Sequence, residues 1–143
     1  MNNQLKEQLI SKTKEFFHFL EAKDIDQWIE LWSEDCINRQ PFGMGMFPEE
    51  IIGKKALYEN FKPIPNNFET ISFPIQEIIV DTKNRTVVAR VNGDLAIKNG
   101  GYYRNTYIFL FHYDNANMIK ECYEYYNPYL AGKAFGLLDK LKF

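Results

Sequence analysis

Cysteine and histidine are scarce in this 143-residue chain, which has two of each. Cys36 and Cys122 lack the short spacing of zinc ligands and do not form a disulfide framework, so both read as small buried hydrophobes. His18 falls between the apolar positions of a helical pattern and reads as solvated. His112 alternates with Phe111 and Tyr113 and reads as exposed or at a subunit contact. No metal site and no cofactor are expected from such a set. A glycine-rich phosphate loop and a nucleophile elbow are both missing, so covalent catalysis has no visible support. The 17 basic and 19 acidic side chains give a net charge of −2 with no run of one sign, which speaks against a nucleic-acid partner. No apolar run approaches the ~20 residues of a membrane span, so no membrane partner is expected either. The opening MNNQLKEQLISKTKEFF is broken by charges where a secretory signal needs ~7–15 apolar residues, and a cytoplasmic protein is expected. With no repeat or low-complexity segment, the length fits one domain over residues 1–143.

Aromatic residues, by contrast, are abundant. Twelve Phe, nine Tyr and two Trp make up 16% of the chain. Such side chains can wall a cavity, with tyrosine hydroxyls supplying polar tips, although they also fill ordinary cores.

Periodicity divides the chain into a helical first part and a β-rich second part. Leu5, Leu9, Phe16, Phe17 and Leu20 predict a helix over Leu5 to Glu21. Asp24 and Gln27 form a capping box for a second helix, with Ile25, Trp28, Ile29 and Trp32 on one face and an end near Glu34. A short strand over Ile37 to Gln40 leads into a loop whose Phe42, Met44, Met46 and Phe47 suit either a lid or a segment tucked onto the core. A helix over Lys54 to Phe61 ends at Pro63 and Pro65. Four strands follow, at Ile71–Val80, Thr86–Ile97, Tyr102–Tyr113 and Met118–Asn127, and short turns between them fit an antiparallel meander. Leu130, Ala134, Leu137, Leu138 and Leu141 predict a C-terminal helix. The expected fold is α+β: a cone in which long strands curl and helices stand in front, enclosing a pocket.

This order of elements resembles the nuclear transport factor 2-like (cystatin-like) fold of ketosteroid isomerases, limonene epoxide hydrolase and SnoaL-like cyclases. A sharper resemblance lies in GYYRNTYIFLFHYDNANMIKECYEYYNP, Gly101 to Pro128, which is similar to a segment of phenazine-biosynthesis A/B proteins. The matching residues are Gly101, Tyr102, Tyr103, Asn105, Asp114, Ile119, Lys120, Glu124, Tyr125 and Asn127. Weaker similarity covers Glu30 to Asp35 and Gly53–Lys54. The resemblance implies a curved antiparallel sheet with N-terminal helices enclosing a pocket, a homodimer formed through the outer sheet face, and a pocket carboxylate at Glu124 acting in acid–base chemistry. That family also has a histidine on the short helix. Its place here holds Asn60, so the resemblance supports the pocket more firmly than the reaction.

Alternation sorts the candidate residues by face. Tyr103, Asn105, Tyr107, Phe109 and Phe111 form one apolar set, assigned to the pocket. Glu124 shares a face with Cys122 and Tyr126, while Ile119, Glu121, Tyr123 and Tyr125 take the other; the resemblance turns the Glu124 face inward. A carboxyl among aromatics is driven toward its neutral form, which suits a proton donor or acceptor near neutral pH. Around it, Tyr103, Tyr107 or Tyr126 would donate to a developing oxyanion, Asn60 or Asn105 would fix a carbonyl, Arg39 would pair with an anionic ligand or stand exposed in a salt bridge, and Trp28 would line the wall or pack in the core. Glu124 itself reads alternatively as a surface carboxylate paired with Lys120 or Arg104, or as a buried group satisfied by a tyrosine. Three functions remain open on sequence. They are a cofactor-independent isomerase, cyclase or condensation enzyme for a small apolar or aromatic ligand, a non-catalytic ligand-binding module, and a protein-interaction domain with a filled interior.

Overall fold

The computed structural model describes residues 2–143. Helix α1 (Asn2–Glu21) buries Leu9, Thr13, Phe16 and Phe17, the stripe set by its three- and four-residue spacing. Asp24 caps the short α2 (Ile25–Ile29) by accepting the Gln27 N–H at 3.1 Å. The chain then leaves helical geometry earlier than the spacing predicts. Trp32 opens strand β1 (Trp32–Arg39) instead of closing a helix, and the Leu31 carbonyl accepts from the Ile119 N–H at 2.9 Å. Trp28 and Trp32 still pack together in full burial, with ring centroids 5.3 Å apart. A four-residue apolar spacing can thus be satisfied by a helical turn followed by a strand.

Strand β2 (Glu50–Ile52), absent from the predicted elements, pairs antiparallel with β1. Helix α3 (Lys54–Phe61) and a 3-10 turn over Ile64–Asn67 follow. The predicted strand over Ile71 to Val80 is instead two: β3 (Phe68–Ser72) and β4 (Ile75–Asp81), interrupted at Phe73–Pro74. Proline has no N–H to give to a ladder, so a strand breaks there. Strands β5 (Thr86–Ile97), β6 (Tyr102–Tyr113) and β7 (Ile119–Tyr125) form the antiparallel centre. Asn127 caps α4 (Pro128–Phe135), which ends on Gly136 in the left-handed conformation, φ 67°.

The α+β order and the antiparallel β4–β5–β6–β7 run stand as expected, but the cone does not form. The sheet is mixed, because β1 runs parallel to β7. It is also open, in the order β2-β1-β7-β6-β5-β3 with β4 also on β5, and its two edges never meet. At the Phe73–Pro74 break the outer strand divides, β3 pairing with the Leu95 end of β5 and β4 with the Val87 end.

The inner face of this open sheet carries the core. Tyr107, Phe109, Phe111 and Tyr113 stack in sequence along β6, with successive centroids 5.3–6.0 Å apart. Phe16 and Phe17 of α1 meet this ladder edge-on, Phe16 on Phe111 at 5.0 Å and Phe17 on Phe109 at 4.9 Å. Each such pair adds about 0.5–1.5 kcal/mol to the burial itself. A bulge refines the faces of β7. His112 pairs with Glu121 but Tyr113 with Ile119, so Lys120 is skipped and Ile119 turns into the core while Glu121 faces outward.

Candidate functional site

Between the inner face and the helical layer lies a cavity of about 370 Å3. Phe16 and Leu20 of α1, Phe61 of α3, Phe68 and Ile71 of β3, and Phe135 of α4 supply apolar walls. Phe47 closes one side, edge-on to Tyr126 and to Phe135 at 6.2 Å each. The apolar loop after β1 therefore forms wall, and the chain end holds it, the Lys142 N–H donating to the Met44 carbonyl at 2.7 Å.

Six polar residues line this space: Gln40, Asn67, Tyr103, Tyr107, Glu124 and Tyr126. Glu124 reaches it because β7 places it opposite Phe109, on the face that holds Cys122 and Phe111. Half-buried, it has no hydrogen-bond or ion-pair partner among the described residues, and burial pushes its carboxyl from the usual carboxylate range up to about 7. The tyrosines form a network. Tyr107 donates to the Tyr103 hydroxyl at 2.8 Å, and Tyr126 donates to Gln40 Oε1 at 2.8 Å. Burial holds the Tyr103 phenol up at about 12 and those of Tyr107 and Tyr126 also above normal, so all three keep their protons at neutral pH. Gly93 of β5 makes room for Tyr107: a Cβ there would stand 2.8 Å from Tyr107 Cε1.

Asn105 does not line the cavity but orders it. Its Oδ1 accepts the Asn127 N–H at 3.1 Å, and its Nδ2 donates to the Asn127 carbonyl and to the Tyr103 hydroxyl, each at 2.9 Å. The same Asn127 caps α4, so one side chain ties β6, the end of β7 and the helix carrying Phe135 together.

Three predicted ligand contacts lie elsewhere. Asn60 is exposed on α3, and the residue of that helix that reaches the cavity is its neighbour Phe61. Trp28 is fully buried one layer back, stacked on Phe61 at 4.6 Å. Arg39 faces away from the cavity, bonded to Glu121 at 2.6 Å and to Glu50, with its guanidinium 5.7 Å from the Tyr123 ring centroid. Strand alternation explains this. Cys36, Asn38 and Gln40 are buried, so Arg39 between them must point out. Gln40 and Asn67 are the polar site residues missed on sequence, and alternation from the buried Cys36 would have found Gln40. Asn38, 1% exposed, has neither amide atom bonded to a described residue, a polar demand that a bound water would meet. Among the described residues no group of three or more His, Cys, Asp or Glu is arranged to hold a metal, and no helix is long and apolar enough to cross a membrane.

An open mixed sheet covered on one face by helices, with a carboxyl and hydroxyls lining the cavity between, defines the class of nuclear transport factor 2-like α+β proteins. Within it, this chain belongs to the SnoaL-like domain family, which it matches over residues 13–121. It is 28% identical over 124 residues to the uncharacterized protein YesE of Bacillus subtilis (strain 168), covering 86% of this chain and 84% of that one. It is also similar to the crystal structure of a "Putative Isomerase" from Bacillus subtilis, at 27% identity and a TM-score of 0.85 over 93% of this chain and 96% of the other. The phenazine biosynthesis-related protein phzb2 of Pseudomonas aeruginosa has a TM-score of 0.79 at 19% identity, covering 94% of this chain and 84% of that one, and at that identity it shares the fold.

Proposed function

We propose that this chain is a small-molecule enzyme of acid–base type, of the isomerase, cyclase or condensation kind, in which Glu124 moves a proton on a largely apolar cyclic ligand. One observation carries the reading: an unpaired carboxyl inside an aromatic cavity, pushed by burial to about 7, where it can both take and return a proton near neutral pH. The similarity to the "Putative Isomerase" of Bacillus subtilis points the same way. In the simplest step the Glu124 carboxylate takes a proton from a carbon next to a carbonyl, and the C–H electron pair moves onto the oxygen as an enolate. The Tyr103 hydroxyl, held by Asn105 and Tyr107, donates to that oxygen, and Glu124 returns the proton at another carbon. Electrons and protons balance within ligand and carboxyl, so the step calls for no cofactor.

The test is proton exchange with 2-tetralone as probe. Wild type in D2O should speed deuterium incorporation beside the carbonyl, read by mass spectrometry, and Glu124→Gln should lose about 100-fold or more of that rate. Equal binding by both proteins with no exchange by either would favour the non-catalytic binding module instead. The interaction-domain reading required a filled interior, and the cavity counts against it.

The outer sheet face supports a further part of this reading, a homodimer. Phe42, Ile79 and Ile108 are exposed there beside Tyr123 and Tyr125. The surrounding charges are paired, Arg90 with Glu77 and Arg104 with Asp94, so two such faces meet without net repulsion. A monomer mass at micromolar concentration by analytical ultracentrifugation would refute it.

A further inference from the structure

Counting hydrogen bonds separates the buried donors of the cavity, which leaves out the exposed Asn67. Tyr107 spends its proton on Tyr103, and Tyr126 spends its proton on Gln40 Oε1. Tyr103 accepts twice, from Tyr107 and from Asn105, whose orientation is dictated because only its Oδ1 can accept the Asn127 N–H. An oxygen that already accepts twice has its own proton left to offer, and no described residue takes it. The two bonds it accepts also make that proton a better donor. Gln40 is left in the same state. Its Oε1 is occupied by Tyr126, and its Nε2 donates to no described residue although the side chain lines the cavity. The parallel register, Asn38 with Cys122 and Arg39 with Tyr123, brings Gln40 level with Glu124 at the next step.

The charges of the site narrow the ligand further. No Lys, Arg or His is among the residues that line the cavity, and Arg39, the nearest cation on β1, is engaged on the opposite face by Glu121 and Glu50. A carboxylate ligand would shed its water without gaining a counter-charge and would meet Glu124.

We propose that the cavity selects a neutral apolar molecule bearing a carbonyl oxygen, with the Tyr103 hydroxyl and Gln40 Nε2 as the selecting donors, and that it excludes carboxylates of the same shape. This deepens the acid–base reading and rests on it for the identity of the site. Gln40 is thereby a specificity residue of the reaction.

Three matched probes test it on the full chain by calorimetric titration at pH 8: 2-acetylnaphthalene, 2-ethylnaphthalene and 2-naphthoate. Wild type should bind the ketone about ten-fold tighter than the hydrocarbon, as expected when one or two buried donors gain an acceptor. It should bind the carboxylate more weakly than the ketone by at least that factor. Gln40→Leu and Tyr103→Phe should each remove much of the ketone advantage while leaving hydrocarbon affinity unchanged, which also certifies an intact cavity. Naphthoate binding as tightly as the ketone, a ketone no tighter than the hydrocarbon, or no binding of any probe would each overturn the inference. Glu124→Gln separates the two readings. Ketone preference in that variant without turnover by wild type would sink the enzyme and keep the selectivity; turnover lost in the variant without ketone preference in wild type would do the reverse.

Discussion

Two glutamates three residues apart on β7 have opposite surroundings. Glu121, on the outer face, is bonded to Arg39 at 2.6 Å and stays near solvent. Glu124, on the inner face, has aromatic neighbours and no partner among the described residues. The outer face pairs Arg39 with Glu121 and Glu50, while the cavity leaves the Glu124 carboxyl, the Tyr103 hydroxyl proton and Gln40 Nε2 without a partner among the described residues. Most buried polar groups are satisfied where they sit, Asn38 and the Trp28 and Trp32 indoles being exceptions, so groups left unsatisfied beside a cavity are open to a ligand.

Several substitutions would break or sharpen that contrast. The largest effect should come from Glu124→Gln, with a loss of about 100- to 10,000-fold in deuterium exchange, while Glu121→Gln leaves the rate unchanged. The wild-type rate should rise with pH and level off above about 7, as the carboxyl ionises into the base; a profile without that inflection would contradict the assignment. Next in size, Phe109→Ala beneath Glu124 should cost about 3–5 kcal/mol in chemical denaturation, whereas Leu110→Ala, half-buried on the other face, should cost well under half of that. A third change, Asn105→Ala, strands the Asn127 backbone groups and should cost about 1–3 kcal/mol while also weakening ketone binding. The smallest should be Arg39→Gln, at most about 1 kcal/mol, because its ion pairs are partly solvated.

Glu124 also predicts a pH signature in stability. Its carboxyl is pushed up in the folded protein, so folding favours the protonated form. The stability that this contributes is complete near pH 4.5 and below, and is lost as pH rises toward about 7. Glu124→Gln should therefore melt at the same temperature as wild type near pH 4.5 and higher than wild type at pH 8. Equal melting at both pH values would show that the carboxyl is solvated.

The legible parts of this chain were those with a strong local signal. Strands β5 and β6 lie at Thr86–Ile97 and Tyr102–Tyr113, where alternation and flanking turn residues predicted them, and α3 matches its predicted span. The inner set Tyr103, Asn105, Tyr107, Phe109 and Phe111 follows from the same two-residue period. Misreadings arose where a neighbour overrode the local pattern. Trp32 carries a helical spacing but is drawn into β1 by pairing with Ile119, and Ile119 shares alternation with Glu121 until the bulge at Lys120 separates them. The sequence offers Arg39 as a partner for an anionic ligand, yet burial of Cys36 and Asn38 turns it outward and Gln40 inward.

Local periodicity and capping residues by themselves determined most of the order of helices and strands and the aromatic inner face of β6, because side-chain direction along a strand depends on the backbone alone; the inward turn of Glu124 came from the family resemblance. Only the tertiary structure decided that β1 lies parallel to β7, that the sheet stays open, and that Tyr103 and Gln40 keep an unspent donor. Those outcomes depend on pairing between residues as far apart as Gln40 and Tyr126, and a hydrogen bond is spent or kept only once both partners have met.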